Sequence, residues 1–267
     1  MRRRPATFPN MILLDPSARP VIGHRGNRAH APENTIPSML EAVAAGAEAL
    51  EFDVHVTRDD VLVVVHDATL DRTTNGTGAV GAFDAHALRQ FDAGARFTKD
   101  GRTYPWRGRG VVIPLFDEVI ESLPTSLPLI IELKTPAAAP ALRRAIVRHG
   151  LAHRIIVAGF DPASTRDLRG GGFALGASTP DVARLLAPSL FRRPVAAPWF
   201  QAMCIPPSHN GFPIPVASLA RATRPHGVVT HVWTINDPAK AQRLWRQGVQ
   251  GIISDDPALM LSARIGV

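Results

Sequence analysis

Two acidic residues, Glu51 and Asp53, stand two positions apart inside an apolar stretch of the sequence. On a β-strand, positions i and i+2 face the same side, so these two carboxylates should project together. Like charges in a buried strand repel each other unless a cation or a base neutralises them. The pattern therefore favours a divalent metal site over a buried polar pair that is satisfied by hydrogen bonds alone.

Glu132 and Lys134 repeat the same spacing in a second apolar stretch. From spacing alone, a plain ion pair between the two explains this pattern equally well. Beside Glu51 and Asp53, however, a third carboxylate indicates an oxygen-rich cation site. Such a site suits Mg²⁺ or Ca²⁺ better than Zn²⁺, because neither Cys nor a His pair at metal-ligand spacing accompanies it. Lys134 would then be free to hold an anionic group of a substrate.

Two histidines, His24 and His66, each end a short apolar stretch close in sequence to the acidic pair. A lone histidine is usually structural or exposed, but imidazole is also the group most readily tuned for proton transfer near neutral pH. Flanking a metal, the two would suit phosphoryl transfer as one base and one acid. Arg25 follows His24 directly, and its planar guanidinium could bind a phosphate oxygen unless it is an ordinary surface residue.

For three further residues a purely structural role explains the sequence, and spacing alone does not indicate a functional one. Asn34 and Thr35 precede the first predicted helix, and either is a plausible N-cap. Trp233 lies near the end of a late strand, where an indole is more often a core residue than a ligand platform.

Short strand-like runs alternate with helical segments, which predicts an α/β fold with a parallel sheet. Eight such units favour a closed TIM (β/α)8 barrel over an open sheet, and no Gly-x-Gly-x-x-Gly follows the first strand. Residues 67–112 are too long for an ordinary connection, so we expect an insertion after the second barrel strand. The predicted barrel strands are Val21–His24, Ala49–Val56, Leu129–Leu133, Arg154–Gly159, Phe173–Ala177, Ala202–Ile205, Val228–Ile235 and Gly251–Ser254.

Shorter signals complete this assignment. Val61–His66 is expected to pair with the second strand as a hairpin, because Arg58-Asp59-Asp60 forms a turn signal. Helices are predicted from Thr35 to about Ala45 and over Ala138–His149, Asp181–Leu186 and Pro238–Gln247.

The composition excludes several classes of protein. With 267 residues, 45% of them hydrophobic, the chain can bury a sizeable core, and disorder over its whole length is excluded. Cys204 is the only cysteine, which excludes a disulfide scaffold. No apolar run reaches the ~18 residues of a transmembrane segment. We expect residues 1–18 to be an N-terminal tail, residues 19–267 to be one domain, and the protein to be cytoplasmic.

The formal net charge is +7, and arginine dominates the basic residues because lysine occurs only at Lys99, Lys134 and Lys240. The arginines are scattered along the chain, so we expect no nucleic-acid partner. A basic surface instead favours small anionic substrates. The oligomeric state is not predicted.

Taken in order, several short motifs resemble the glycerophosphodiester phosphodiesterase family over roughly residues 20–260. Each motif alone is weakly specific, whereas the ordered set is highly specific. The set comprises Gly23-His24-Arg25-Gly26, Pro32-Glu33-Asn34-Thr35, Glu51-x-Asp53, His66-Asp67, the run from Leu70 to Gly78, Ile131-Glu132-Leu133-Lys134, Val232-Trp233-Thr234-Ile235-Asn236 and the run from Gly251 to Pro257.

This resemblance implies a TIM barrel with a small insertion at residues 67–112. It also implies metal ligands at Glu51, Asp53 and Glu132, and an acid–base pair at His24 and His66. Phosphate-holding positions would be Arg25 and Lys134, with Trp233 near a glycerol pocket. The stretch from Phe191 to Pro215, which is rich in proline, matches no motif of the family and leaves the leaving alcohol undefined.

The family relation implies metal-dependent hydrolysis of glycerophosphodiesters to glycerol 3-phosphate and an alcohol. Two alternatives remain open from the sequence. A lysophospholipase D-type enzyme on the same barrel would cut acylated substrates and would need an apolar channel. A non-catalytic glycerophosphodiester-binding protein is expected to lack a histidine or a carboxylate of the set, and none is missing here.

Overall fold

The structure is a computed structural model and describes residues 11–264. Within that range the chain forms eleven strands, of which β3, β8 and β9 are antiparallel hairpin strands and the other eight are parallel. The strands are β1 (Val21–His24), β2 (Ala49–Val56), β3 (Leu62–Val64), β4 (Leu129–Leu133), β5 (Ile155–Ala158), β6 (Ala174–Leu175), β7 (Ala202–Ile205), β8 (Ser208–His209), β9 (Phe212–Pro213), β10 (Val229–Val232) and β11 (Gly251–Ser254).

Helices follow most of the parallel strands and cover the outside of the sheet. They are α1 (Ile36–Ala44), α2 (Ala85–Leu88), α3 (Phe116–Ser122), α4 (Ala139–Arg148), α5 (Pro162–Arg166), α6 (Thr179–Leu190), α7 (Val216–Thr223), α8 (Pro238–Arg246) and α9 (Pro257–Arg264). Across residues 11–264, none of these helices has the length and apolarity that a membrane span requires.

The parallel strands form a ring in the order β6-β5-β4-β2-β1-β11-β10-β7. Between the two ends of this path, the amide of Gln201 donates to the carbonyl of Leu175 at 3.0 Å, and the amide of Ala177 donates to the carbonyl of Ala202 at 2.9 Å. These bonds bring β6 and β7 together, which confirms the predicted TIM barrel.

The predicted strands match the observed ones closely, because short apolar runs between helical segments indicate buried parallel strands. β1, β2, β4, β7 and β11 have the predicted bounds. The run predicted over Phe173–Ala177 contains only a two-residue strand, β6. Helix α6 is longer than predicted, since Ser178 and Asp181 form a capping box at its start and the helix continues through Pro188.

Side chains alternate between the two faces of each strand, so the core has one layer inside the barrel and one beneath the helices. In β4, Leu129, Ile131 and Leu133 join the apolar layer beneath the helices, while Ile130 belongs to the cluster inside the barrel. The residues 67–112 follow β3 and build a small apolar core of their own, whose buried members include Leu70, Val80, Leu88, Ala93 and Val111.

The first described residues pack against the N-terminal end of the barrel. Ile12–Leu14 form a 3-10 turn, Leu13 is fully buried, and its cluster includes Ala49, the first residue of β2. The carbonyl of Leu13 accepts a hydrogen bond of 2.9 Å from His231 Nε2. Of the tail predicted over residues 1–18, residues 1–10 lie outside the described range, and Met11–Leu14 form a plug at the N-terminal end of the barrel.

His231 should make the fold sensitive to acid. It is fully buried, its Nδ1 has no partner within residues 11–264, and burial lowers its pKa to about 4. The unfolded chain binds a proton below about pH 6.5, so stability should fall as the pH drops from there towards 4. At pH 5 this loss relative to pH 8 is on the order of 2 kcal/mol.

Urea unfolding at pH 5 and pH 8 measures this loss. H231Q, which retains an N–H for Leu13, should lose less stability between the two pH values than the wild type does. H153Q removes an exposed histidine and is the matched control. Equal pH dependence of wild type and H231Q would contradict the assignment.

Candidate active site

Three carboxylates meet inside the C-terminal half of the barrel. Glu51 and Asp53 face inward from β2 because Leu50, Phe52 and Val54 face the helices. The parallel register places Asp53 directly beside Glu132 of β4. One oxygen from each of the three carboxylates lies within 4.8 Å of the others. The three carboxylates that were predicted to converge therefore form one cluster.

Two cations contact this cluster directly. Lys134 Nζ forms an ion pair with Glu132 and lies 3.0 Å from Asp53 Oδ1. Arg25 Nε lies 3.1 Å from Asp53 Oδ2, and the Arg25 amide donates to Glu51 Oε2 at 3.2 Å. The ion pair between Glu132 and Lys134 thus exists, but it is part of the carboxylate cluster and does not replace it.

Burial and mutual repulsion distribute the protons unevenly over the carboxylates. Burial, with the neighbouring carboxylates of Asp53 and Glu132, holds the pKa of Glu51 well above its usual value. Burial and the charge of Asp53 raise the pKa of Glu132 to about 7. For Asp53, burial opposes ionisation, but Lys134 and Arg25 outweigh it and lower the pKa. Asp53 is therefore the carboxylate whose charge is best compensated by the protein itself.

This donor set fits a hard divalent cation. All three side chains offer oxygen, Glu51 and Asp53 are 5% and 1% exposed, and burial together with the neighbouring carboxylates of Asp53 and Glu132 raises the pKa of Glu51. Carboxylate oxygens are the ligands that Mg²⁺ and Ca²⁺ prefer. A cation among these oxygens would relieve the repulsion that raises the pKa of Glu51.

Each of the two histidines is held by an aspartate through Nδ1. His24 Nδ1 lies 2.6 Å from Asp255 Oδ1, at the end of β11, and His24 Nε2 lies 4.0 Å from Glu51 Oε2. His66 Nδ1 lies 2.6 Å from Asp67 Oδ1. Such contacts fix the ring orientation and leave Nε2 for proton transfer. Burial lowers the pKa of His66, which favours its neutral form at neutral pH.

These side chains line one small cavity of about 60 Å³. Trp233 closes part of it: its Nε1 donates to the carbonyl of Cys204 at 3.1 Å, and its ring lies 5.7 Å from that of Phe160. The structure thus brings every predicted site residue except Asp53 to the wall of this cavity, and Asp53 lies directly behind it. The lining includes His24, Arg25, Glu51, His66, Glu132, Lys134, Phe160, Cys204 and Trp233.

Comparison with known proteins gives the family. Residues 24–259 match the sequence profile described as the "Glycerophosphoryl diester phosphodiesterase family". The chain belongs to this family. It is 31% identical over 250 residues to the glycerophosphodiester phosphodiesterase of Caldanaerobacter subterraneus subsp. tengcongensis, an alignment that covers 91% of this chain and 96% of that protein.

Solved structures of this phosphodiesterase family agree with the fold. A glycerophosphodiester phosphodiesterase from Agrobacterium tumefaciens superposes with a TM-score of 0.73 at 28% identity, covering 91% of this chain and 99% of that one. An Oleispira antarctica phosphodiesterase in complex with its product sn-glycerol-3-phosphate gives a TM-score of 0.72 at 26% identity, with coverages of 92% and 96%.

Four residues of this family member join the site without having been assigned to it from sequence. Asp255 and Asp67 orient the histidines, and Glu33 accepts hydrogen bonds from Arg25 at 2.7 Å, from Arg28 and from Arg72. The fourth is Asn34. The only signal for the aspartates was their place inside the family motifs.

Asn34 supports the most buried carboxylate. Thr35 is the N-cap of α1, as one of the two alternatives predicted. Asn34 instead adopts a left-handed conformation with φ 58°, which turns its amide towards β2. Its Nδ2 donates to Asp53 Oδ2 at 2.8 Å, and its Oδ1 accepts from the Asp53 amide at 3.2 Å.

Removing this amide should therefore destabilise the protein. N34A loses a hydrogen bond to a carboxylate and forces alanine into left-handed backbone, which together should cost about 2–4 kcal/mol of unfolding free energy. N34G loses the same hydrogen bonds but tolerates the positive φ, so its cost should be smaller. Urea unfolding measures both. If N34A stays within about 0.5 kcal/mol of the wild type, Asn34 does not support Asp53 as described.

Proposed function

We propose that this protein hydrolyses glycerophosphodiesters to glycerol 3-phosphate and an alcohol, using a divalent cation and the His24–His66 pair. The observation that carries the proposal is a cluster of three carboxylates, two of which line the same cavity as two aspartate-held histidines, in a member of this family. The product bound by the Oleispira antarctica phosphodiesterase supports glycerol 3-phosphate as the product here as well.

Glu51, Asp53 and Glu132 are the proposed ligands of one Mg²⁺ or Ca²⁺. When bound, the cation would supply charge stabilisation to the phosphoryl oxygens of the substrate. Arg25 and Lys134 border the same cavity and would hold the remaining phosphate charge. Trp233 and Phe160 offer an apolar wall, which suits the carbon face of the glycerol unit.

The proposed reaction has two steps. The C2 hydroxyl of glycerol attacks phosphorus and forms a cyclic phosphate, while the bond from phosphorus to the alcohol oxygen breaks. One histidine takes the proton of the attacking hydroxyl through Nε2, and the other gives a proton to the leaving alcohol. Water then opens the ring, with the proton transfers reversed, and glycerol 3-phosphate is released. Asp255 and Asp67 keep both rings oriented throughout.

The remaining parts of the proposal concern the substrate class, the partners, the location and the domain organisation of the protein. We propose a small anionic substrate, no nucleic-acid partner and a cytoplasmic location, and these stay predictions from the sequence. We also propose that residues 1–18 are an N-terminal tail and residues 19–267 a single phosphodiesterase domain. Met11–Leu14, which form the plug, belong to the tail.

Dependence on the cation tests the carboxylate cluster. Excess EDTA should abolish hydrolysis of glycerophosphocholine, and Mg²⁺ or Ca²⁺ should restore it. E51Q and D53N should lower activity by several orders of magnitude and should weaken Ca²⁺ binding measured by calorimetry, because each removes a charged ligand. E121Q neutralises an exposed acid and is the control. Full activity in excess EDTA, in protein free of metal, would exclude this role for the cluster.

Substitution of the two histidines tests the acid–base assignment. H24A and H66A should each lower kcat about 10²–10⁴-fold on glycerophosphocholine, the usual contribution of a positioned acid or base. KM should change much less, since Arg25 and Lys134 still contact the phosphate. H86A removes an exposed histidine of α2 and should behave as the wild type.

A p-nitrophenyl phosphodiester separates the two roles. On the p-nitrophenyl diester of glycerol 3-phosphate the leaving group needs no proton, so the first-step burst of p-nitrophenol should be rescued in the variant that lacks the general acid and should hardly change in the other. Near-normal turnover of both variants on glycerophosphodiesters would show that neither histidine is catalytic. Equal rescue of both would refute the division into one acid and one base while leaving the site in place.

A further inference from the structure

A second and larger cavity lies beside the candidate active site. Its volume is about 410 Å³, within the usual size range of small-molecule sites. It lies between the β1–α1 loop and the insertion at residues 67–112. We call it the arginine cavity, and its lining is Arg28, Pro32, Glu33, Arg72, Thr73, Ala93, Arg96, Phe97, Thr98 and Asp255.

Two residues of the arginine cavity also contact the proposed catalytic groups. Glu33 accepts a hydrogen bond of 2.7 Å from Arg25, and Asp255 lies 2.6 Å from His24. One side chain therefore separates the arginine cavity from the position where the phosphodiester would be cleaved. We expect a group attached to the scissile phosphate through the leaving alcohol to extend towards it.

The three arginines of this cavity differ in their partners. Arg28 pairs with Glu33 and Asp255, and Arg72 pairs with Glu33 and Asp67. Arg96 has no carboxylate within ion-pair distance among residues 11–264; its Nε donates only to the carbonyl of Thr74, at 3.1 Å. Among the described residues its terminal nitrogens have no hydrogen-bond partner, so they can donate to a ligand.

The surrounding chain strengthens the positive field at this position. Between residues 94 and 110 the sequence has five basic side chains, Arg96, Lys99, Arg102, Arg107 and Arg109, against one acid, Asp100. Charge concentrated around a cleft attracts anions and raises their local concentration. A cationic leaving alcohol such as choline would meet unfavourable charge on this side.

We propose that the arginine cavity binds a second phosphate group, one that is carried by the leaving alcohol of the substrate, and that Arg96 is the specificity-determining contact. The preferred substrates are then glycerophosphodiesters whose alcohol is itself phosphorylated. This inference rests on the proposed hydrolysis of glycerophosphodiesters and adds to it which alcohols are favoured.

Matched substrates test the inference. For the wild type, kcat/KM should be at least about tenfold higher on glycerophosphoglycerol phosphate than on glycerophosphoglycerol, because charge-assisted hydrogen bonds are the stronger class. R96Q should lose this preference and keep the wild-type kcat/KM on glycerophosphoglycerol. R96K should retain part of it, and raised salt should reduce it, since Arg96 is exposed. R109Q, which removes an arginine of the insertion outside the cavity lining, should retain most of the preference, because it weakens the surrounding field but leaves the Arg96 contact in place.

Three results would overturn the inference: no preference in the wild type, an unchanged preference in R96Q, or an equal loss on both substrates, which would indicate that Arg96 only supports the insertion. Calorimetric binding of both substrates to H24A, with and without R96Q, gives the same ratio without turnover. A wild type inactive on every glycerophosphodiester would contradict the proposed function, and the binding ratio would still decide about the arginine cavity.

Discussion

The repulsion among three carboxylates inside the barrel is the constraint around which this site is built. Isolated buried charge is costly, and here two adjacent strands direct Glu51, Asp53 and Glu132 into one space. The chain answers with a guanidinium from the loop after β1 and an ammonium from the end of β4. These contacts lower the pKa of Asp53, whereas burial and the neighbouring carboxylates raise that of Glu51, an imbalance that a further cation among these oxygens would relieve.

Much of this arrangement was predictable because it follows from local periodicity. Side chains two apart on a strand share a face, so the sequence alone places Glu51 with Asp53 and Glu132 with Lys134 on common faces. The bounds of β2 and β4 were predicted correctly for the same reason. In the expected barrel, neighbouring parallel strands bring these two faces together. The carboxylate cluster could therefore be predicted from the strand pattern and the fold class alone.

The supporting contacts were not predictable, because they depend on loop conformation and on residues distant in sequence. Asn34 and Thr35 are equally good caps by composition, and only the left-handed backbone at Asn34 separates their roles. Asp255 meets His24 across more than two hundred residues. Lys134 was predicted to hold an anionic group of a substrate, and its additional ion pair with Asp53 of the neighbouring strand is a contact that spacing on one strand does not reveal.

The plug at Met11–Leu14 has a consequence for how reactants enter the barrel and how products leave it. Since Leu13 is fully buried in the cluster at the N-terminal end of the barrel, we expect reactants and products to exchange through the opposite end. In the proposed two-step reaction, the alcohol would then leave by the same opening through which water enters. Alcohol that has not yet left can attack the cyclic phosphate in place of water, so an excess of alcohol would convert this intermediate back to a diester.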